Sequence, residues 1–212
     1  MIHVYGFVDG LEELPRVLGV DEAPLERRRV AGLELVLSRA ATPPSAEVSR
    51  ETVLRHAQVV EALMRRSTAI LPAQLGRAFR DEHQLAAAIE EQAAQLERSL
   101  ERVRGCVEFG LRVTKGAAEA PESGTGAGYM YARLEQVRVQ DDLVERLHEP
   151  LARLARETTL QRRAGGVTAA YLVARDDVRA FEAEAARLEH ADGVTVVCTG
   201  PWPPYSFATG AS

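Results

Sequence analysis

The order of predicted elements after residue 105 is the feature that most limits what this chain can fold into. Apolar residues change there from helical spacing to alternation, with Val107, Phe109 and Leu111 separated by single residues, which predicts a strand. Further on, the patterns predict a helix along the stripe from Val137 to Leu154, a hairpin of strands at about 159–163 and 167–174, a helix over about 176–188 and a strand at 194–199. Strand, helix, strand, strand, helix, strand is the order of a ferredoxin-like domain.

Residues before 105 carry a different mixture of strand and helix patterns. They predict strands at 2–8 and 33–39, a helix from Ser49, an edge strand or irregular segment at 69–75, and a long helix capped by Asp81 and ending near Arg104. A chain of 212 residues can hold two domains with modest cores. We therefore predict an α+β protein with an N-terminal α+β domain at 1–104 and a C-terminal ferredoxin-like (βαββαβ) domain at 105–212.

The most distinctive segment lies near the C-terminus, and we call it the strap: Gly200, Pro201, Trp202, Pro203, Pro204, Tyr205, Ser206 and Phe207. Its three prolines fix φ and push the preceding residues out of the helical region, so the strap should be stiff and extended. It holds the only tryptophan and two further rings, and a rigid apolar chain end is expected to dock. We favour packing on the last sheet of its own domain over recognition by a proline-binding module, because the strap lacks the spacing of a Pro-Pro-x-Tyr motif.

Composition argues against several classes of partner. A net charge of −5 and a pI near 5.6 disfavour a nucleic acid or an anionic membrane as the main partner. The first residues have no signal-peptide pattern and no apolar stretch has the length of a membrane span, so we expect a cytoplasmic protein. Cys106 and Cys198 lack metal-ligand spacing and are expected to be reduced, and whether they are in contact stays open.

No group of residues has the spacing of a catalytic, cofactor or metal site. The glycine-rich run at 124–128 does not follow a strand pattern, so we predict a loop over 116–128 rather than a phosphate-binding site. His56 lies on the apolar face of its helix and is expected to be buried and hydrogen-bonded rather than a ligand or base. The other four histidines are scattered over different predicted elements, and Ser206 and Cys106 lack activating neighbours. We therefore expect no enzyme activity and no cofactor.

Several segments resemble, in chain order, the gas vesicle protein F/L family (GvpF/GvpL). The strap is similar to the family's Gly-Pro-Trp-Pro-Pro-Tyr-Ser-Phe ending, which is the most specific of its motifs. The other similar segments are His-Val-Tyr-Gly at 3–6, His-Ala-Gln-Val-Val-Glu at 56–61, the turn at 71–79, Val-Glu-Phe-Gly-Leu at 107–111, Gly-Tyr-Met-Tyr at 128–131 and Ala-Tyr-Leu-Val at 170–173. Two positions depart from the family, because Leu75-Gly76-Arg77 replaces a Phe-Gly-Thr turn and an asparagine usual before Ala-Tyr-Leu-Val is absent from 167–169.

The resemblance implies a non-enzymatic accessory or minor structural protein of gas vesicles, the gas-filled organelles with a protein wall. It implies the small hydrophobic shell protein and other gas vesicle accessory proteins as partners, and the gas vesicle and cytoplasm as locations. It also implies an α+β N-terminal domain and a ferredoxin-like C-terminal domain. The residues implied as structural or interaction candidates are those of the strap motif: Gly200, Pro201, Trp202, Pro203, Pro204, Tyr205 and Phe207.

Two classes of function remain to be distinguished. Our hypothesis is that an apolar surface, with the strap and the groove between the domains as candidates, covers the exposed apolar surface of the shell protein before assembly. The alternative is a ferredoxin-like small-molecule-sensing regulatory protein, because ferredoxin-like sheets serve many unrelated functions. A polar pocket on the second sheet would favour sensing, whereas a continuous apolar patch would favour binding of the shell protein.

Overall fold

A computed structural model of the protein describes residues 1–39, 49–76, 78–115, 126–163, 166–189 and 193–208. It is a mixture of helices and two sheets, which confirms the mixed class predicted from the sequence. Contacts divide the chain into a first unit, Met1–Cys106 with Trp202–Ser212, and a second unit, Val107–Pro201. The predicted domains, 1–104 and 105–212, stay a prediction. The division by contacts differs from them because it places the end of the strap, from Trp202 onward, in the first unit.

The first unit contains one sheet and two long helices. Its elements are β1 (Ile2–Asp9), β2 (Leu25–Val30), β3 (Leu33–Arg39), α1 (Arg50–Met64), β4 (Ala69–Pro72), β5 (Ala78–Phe79) and α2 (Glu82–Val103). The strand order is β2-β3-β1-β4, and β5 also pairs with β1. β1 pairs antiparallel with β3, β4 and β5, and β2 pairs antiparallel with β3. β1 therefore lies inside the sheet and β4 at its edge, as the proline in 69–75 predicted.

Gly6 explains why the opening motif of the chain needs a glycine in its central strand. It stands at the register shift between Val4 and Gly6 in the pairing of β1 with β3. A Cβ at this position would lie 2.6 Å from the carbonyl oxygen of Leu71 in β4, closer than real Cβ atoms approach. A side chain here would therefore force β1 and β4 apart.

The two helices of the first unit begin where their capping residues predicted. Ser49 caps α1, with its hydroxyl accepting a hydrogen bond from the backbone N–H of Thr52 at 3.1 Å. Asp81 caps α2 in the same way, accepting from the N–H of Gln84 at 2.8 Å. Each cap satisfies a donor that the first turn of a helix leaves unpaired, and each helix then buries one apolar stripe.

The second unit is built around a four-stranded sheet. Its elements are β6 (Cys106–Lys115), α3 (Gly126–Leu143), a π-helical turn (Val144–His148), α4 (Glu149–Ala152), β7 (Glu157–Arg163), β8 (Gly166–Ala174), α5 (Val178–Leu188) and β9 (Val194–Trp202). The strand order is β7-β8-β6-β9. The element order predicted from residue 105 onward is thus observed, with β8 buried along nearly its whole length.

Pro150 interrupts the long helical run of the second unit, as its sequence position predicted. It stands in the first turn of α4, directly after the π-helical turn. A proline has no N–H to donate and its ring crowds the carbonyl four residues earlier, here that of Arg146. The wider π-helical turn, which ends two residues before Pro150, provides room for that ring.

Four expectations about loops and element ends differ from the structure or fall outside the described residues. The predicted loop over 116–128 is wrong at its end, because α3 already begins at Gly126, while residues 116–125 lie outside the described residues. The last strand does not end at Thr199 but continues to Trp202, since the first strap residues still pair as a strand. The expected break at Pro43-Pro44 and the first glycine of the turn at 165–166 also lie outside the described residues.

Candidate functional site

The strap is half strand and half compact turn rather than extended throughout. Its first three residues finish β9, and a 3-10 turn forms over Tyr205–Phe207 after Pro203 and Pro204. Both of these prolines are buried, and Phe207 is only 1% exposed. Trp202 and Tyr205 remain 44% and 42% exposed. The strap therefore docks through its prolines and one ring, and it leaves two rings to the solvent.

The surface on which the strap end docks corrects the sequence-based expectation. Packing on the last sheet was expected, but the residues from Trp202 onward group with the first unit. The guanidinium of Arg102, in the last turn of α2, donates to the carbonyl oxygen of Phe207. A carbonyl beside a buried ring needs a donor once water is excluded, and a long arginine side chain provides it.

Position 200 requires a glycine for two reasons, its backbone conformation and the close approach of the neighbouring strand β6. Its φ is +137°, a conformation that favours glycine. A Cβ there would lie 2.8 Å from the carbonyl oxygen of Glu108 and 2.7 Å from the ring of Phe109. The first residue of the strap motif is thus required for close packing of β9 on β6, which is a structural role.

An exposed apolar stripe on α3 is the feature that sequence reasoning missed. Met130, Leu134 and Val137 follow the i, i+4, i+7 spacing of one helix face, and all three are exposed, Leu134 by 54%. Tyr131 next to this stripe is 75% exposed. Val137 is also the first residue of the helical stripe predicted from Val137 to Leu154, and the structure leaves it 43% exposed. The spacing of 130, 134 and 137 was the available signal, and it was obscured because α3 is apolar on more than one face.

Two basic side chains flank the α3 stripe. On a helical projection Arg133 lies to one side of the line from Met130 to Val137, and Arg138 lies to the other. Both arginines are exposed. The outer face of α3 therefore combines a narrow apolar strip with positive charge on each side.

The first unit contains a buried cluster of rings that the sequence analysis did not predict as a group. His3 Nε2 lies 2.9 Å from His56 Nδ1, and His56 Nε2 lies 3.0 Å from the carbonyl oxygen of Ala73. Tyr5 stacks on His56 with ring centroids 5.4 Å apart. His56 is buried and hydrogen-bonded as predicted, but the expectation that the histidines do not cluster is wrong, because β1 and α1 bring His3 and His56 together.

Hydrogen-bond directions assign the neutral tautomer of both histidines. A carbonyl oxygen only accepts, so His56 donates from Nε2 to Ala73 and its Nδ1 is left as an acceptor. His3 then donates from Nε2 to that atom. Burial lowers the pKa of His56, and burial with the nearby His56 lowers the pKa of His3 to about 4. This arrangement favours uncharged rings and serves packing rather than proton transfer.

A second histidine–tyrosine pair lies in the core of the second unit. His148 Nδ1 is 2.8 Å from the hydroxyl oxygen of Tyr171, and both residues are buried. Tyr171 also contacts Phe181, whose ring packs on Phe109. Burial raises the pKa of Tyr171 and lowers that of His148, so both groups are held uncharged.

The remaining candidate groups form neither a metal site nor a nucleophile site in the part of the chain that the structure describes. No cluster of three or more histidine, cysteine, aspartate or glutamate side chains suits a metal ion there. Cys106 and Cys198 are free thiols, and burial raises the pKa of Cys198 to about 11, which disfavours the reactive thiolate. Among the helices of the same described residues, none is long and apolar enough to cross a bilayer.

A surface depression of about 440 Å³ lies beside α3 in the second unit. Four charged residues contribute to its lining: Glu135, Arg138, Asp142 and Arg146. Asp142 and Arg146 form an ion pair with each other at 3.2 Å. The lining comes mainly from the helical run and only at one edge from β9, so the depression is not the sheet pocket expected for a sensing protein.

Comparison with known proteins gives the same family over the whole chain. Residues 1–209 match the family described as gas vesicle synthesis protein GvpL/GvpF. Gas vesicle protein L of Streptomyces sp. (strain CB03234) is 33% identical, with 89% of this chain and 75% of that protein covered. Gas vesicle protein F2 of Halobacterium salinarum is 27% identical, with 97% and 91% covered.

Two crystal structures share the fold. GvpF from Anabaena sp. PCC7120 aligns with a TM-score of 0.84 at 15% identity, covering 98% of this chain and 95% of that one. GvpF from Microcystis aeruginosa aligns with a TM-score of 0.80 at 18% identity, covering 98% of each chain. Fold, motif order and sequence identity agree, and the family is one of structural and accessory proteins associated with gas vesicles. The chain belongs to the GvpL/GvpF family of gas vesicle synthesis proteins.

Proposed function

We propose that this protein binds the gas vesicle shell protein and supports gas vesicle assembly as a non-enzymatic accessory protein, acting in the cytoplasm and at the vesicle. The shell protein of this proposal is small and hydrophobic, so it needs its apolar surface covered until it enters the wall. Other gas vesicle accessory proteins are proposed as further partners. We also propose that the second unit is a ferredoxin-like domain, which its element order and the β7-β8-β6-β9 sheet support.

The apolar stripe on α3 is the observation that carries this proposal. An ordinary surface helix turns polar residues to the solvent, but α3 exposes Met130, Leu134 and Val137 in a row. Exposed apolar rows on a helix are typical of surfaces that bind another chain. Met130 and Leu134 are 60% and 54% exposed, so burying the remainder of both side chains contributes roughly 1.5–3 kcal/mol in total, which corresponds to about a tenfold to hundredfold change in affinity.

The strap has a divided role in the proposal. Gly200, Pro203, Pro204 and Phe207 hold the strap in place, because they are buried or closely packed. Trp202 and Tyr205 are the strap residues available to a partner, because their rings are partly exposed. We propose these two rings as a second, weaker contact for the shell protein, since aromatic side chains frequently anchor interfaces.

Co-purification from cells that express the shell protein with this chain as bait tests the proposal. We expect the intact chain to retain the shell protein, and we expect the double variant Met130→Glu with Leu134→Glu to retain at least about tenfold less. Trp202→Ala with Tyr205→Ala should cause a smaller loss. Because the substituted side chains are exposed, circular dichroism should give unchanged folding for both variants.

Leu54→Glu is the matched control for the stripe variant. Leu54 lies on α1 and is 53% exposed, almost the same as Leu134 at 54%. This control should retain the shell protein as the intact chain does. Failure of the intact chain to retain any shell protein would exclude the proposal, and equal losses in the control and stripe variants would exclude α3 as the site.

A small-molecule-sensing regulatory role is the second candidate. The depression beside α3 lies off the sheet, where a sensing pocket was expected, but it is a concave site lined by charged groups, and this is the observation on which the candidate rests. Arg138 and Glu135 line this depression together with an ion pair, so a ligand there would have to carry charge. Isothermal titration of the purified chain with charged metabolites tests this candidate. Saturable binding that Arg138→Gln abolishes, in a chain that retains no shell protein, would replace the assembly proposal with sensing.

A further inference from the structure

The last strand of the second sheet is an edge that lacks the usual protection against pairing with another strand. The sheet order places β9 at one end and β7 at the other. Residues 194–199 of β9 read Val-Thr-Val-Val-Cys-Thr and carry no charge. An uncharged edge strand of β-branched residues presents unpaired N–H and C=O groups that readily accept a further strand.

The other described sheet edges provide an internal comparison. β7 carries Glu157, Arg162 and Arg163, and Arg162 pairs with Asp141 at 3.0 Å. β2 has four consecutive charged residues at 26–29. The edge formed by β4 and β5 consists of two short strands and ends at Pro72 in β4. Charge, shortness and proline are three devices that keep edges from pairing, and β9 has none of them before Pro201.

The side chains of β9 alternate between a covered and an open face. Val196 is buried, while Thr195, Val197 and Thr199 on the opposite face are exposed, Val197 by 46%. If an antiparallel strand of the same sequence were added, the threonines and valine on the exposed face of one strand would lie beside those of the other. Cross-strand pairs of these residue types stabilise a sheet, and no charge would enter the new ladder.

We propose that β9 is the interface for a second copy of this chain, with two β9 strands paired antiparallel about a two-fold axis into one eight-stranded sheet. A second copy of this chain is the partner that we propose for this edge, because its own β9 is an uncharged strand of the same length. Pairing of β9 with β7 or β2 of that copy would bring charged residues into the ladder. The self-complementary contact also closes after two chains, so it gives a dimer and not a fibre.

Analytical ultracentrifugation of the full chain at increasing concentration tests the proposal. The mass should rise from one chain to two, and amide hydrogen exchange in Val194–Trp202 should slow over the same concentrations. Val197→Lys should weaken the dimer by about tenfold or more, because the two-fold axis would bring two lysines into the uncharged ladder. Thr195→Lys is a second variant with the same expected effect.

Thr159→Lys is the matched control, since Thr159 is an exposed residue of the charged edge strand β7. It should leave the monomer–dimer equilibrium unchanged, and thermal melting should give folded chains for all three variants. A chain that stays monomeric at every concentration overturns the proposal. A dimer that both β9 variants retain, or that Thr159→Lys weakens equally, also overturns it, because the interface would then lie elsewhere.

Discussion

At the scale of single residues, the two buried histidines of the first unit, His3 and His56, form a hydrogen-bond chain in which every direction is assigned. His3 donates to His56, and His56 donates to the carbonyl of Ala73. A proton added to Nδ1 of His56 would turn the acceptor of this chain into a donor that faces the N–H of His3. Protonation therefore breaks a buried hydrogen bond and introduces a poorly hydrated charge, which burial already penalises.

Because of the hydrogen bonds between His3, His56 and Ala73, the first unit should become less stable in acid. The folded-state pKa of His3 is lowered from 6.5 to about 4, so between these pH values the unfolded chain binds more protons than the folded chain. The free energy of unfolding should be unaffected by this group above pH 6.5, and it should fall as the pH drops towards 4. The slope is at most about 1.4 kcal/mol per pH unit for each histidine. Urea unfolding at a series of pH values measures this slope.

His3→Gln provides the comparison for that measurement. Glutamine keeps an amide donor near His56 but does not titrate in this range, so the acid slope should become shallower. His83→Gln, an exposed position on α2, should leave the slope as it is in the unsubstituted chain. A slope that His3→Gln does not change would contradict the assignment.

The hydroxyl of Tyr5 should contribute measurably to stability. It accepts from the backbone N–H of Val20 at 2.7 Å and lies 2.9 Å from the hydroxyl of Ser38, which is fully buried. Tyr5→Phe leaves both partners unsatisfied, so it should lower the free energy of unfolding by about 1–3 kcal/mol. Tyr205→Phe removes the hydroxyl from a partly exposed ring and should cost much less. Chemical denaturation of the two variants under one condition measures the difference.

At the scale of elements, local signals predicted the helices that have one buried face. Ser49 and Asp81 marked the starts of α1 and α2, and Pro150 marked the interruption of the third helical run. α3 was the exception. Its outward face is apolar as well, so the periodicity around Val137 could not indicate which side is buried. The start at Gly126 was missed because glycine-rich sequence predicts a loop until tertiary packing overrides it.

The docking partner of the strap could not be predicted for a related reason. Its prolines and rings indicate a rigid apolar segment, but not the surface that receives it. That surface includes Arg102, about a hundred residues earlier in the chain, and no local pattern reports a contact of such sequence separation. The histidine cluster was missed for the same reason, since His3 and His56 meet only after β1 and α1 pack together.

Within the strap, stability and binding should depend on different rings. Phe207 is almost fully buried, so Phe207→Ala should lower the free energy of unfolding by about 3–5 kcal/mol. Trp202 is 44% exposed, so Trp202→Ala should lower it by only about 1 kcal/mol or less. Thermal and urea unfolding of the two variants gives both values. Equal losses would mean that Trp202 is held as firmly as Phe207, which would remove it from the proposed contact surface.

At the scale of the whole molecule, the first unit is assembled from the two ends of the chain. Met1–Cys106 provides the sheet and helices, and Trp202 onward returns to them after the second unit is complete. The contact between Arg102 and Phe207 joins residues 105 positions apart. A chain organised in this way should transmit a defect at its C-terminus to its N-terminal elements, because those elements and the strap end form one compact unit.

Removal of residues 202–212 therefore tests which unit the end of the strap stabilises. Contacts assign it to the first unit, whereas a domain boundary at 105 would keep it with the second domain. The shortened chain should exchange the amides of Glu82–Val103 in α2 faster, since Arg102 loses its acceptor and the surface under Phe207 is uncovered. The amides of Gly166–Ala174 in β8 should exchange as before, because that strand is buried within the second unit. Hydrogen exchange measured by mass spectrometry follows both segments in one sample. Trp202→Ala, which leaves Phe207 in place, should change neither segment, whereas faster exchange in β8 with no change in α2 would assign the strap to the second unit.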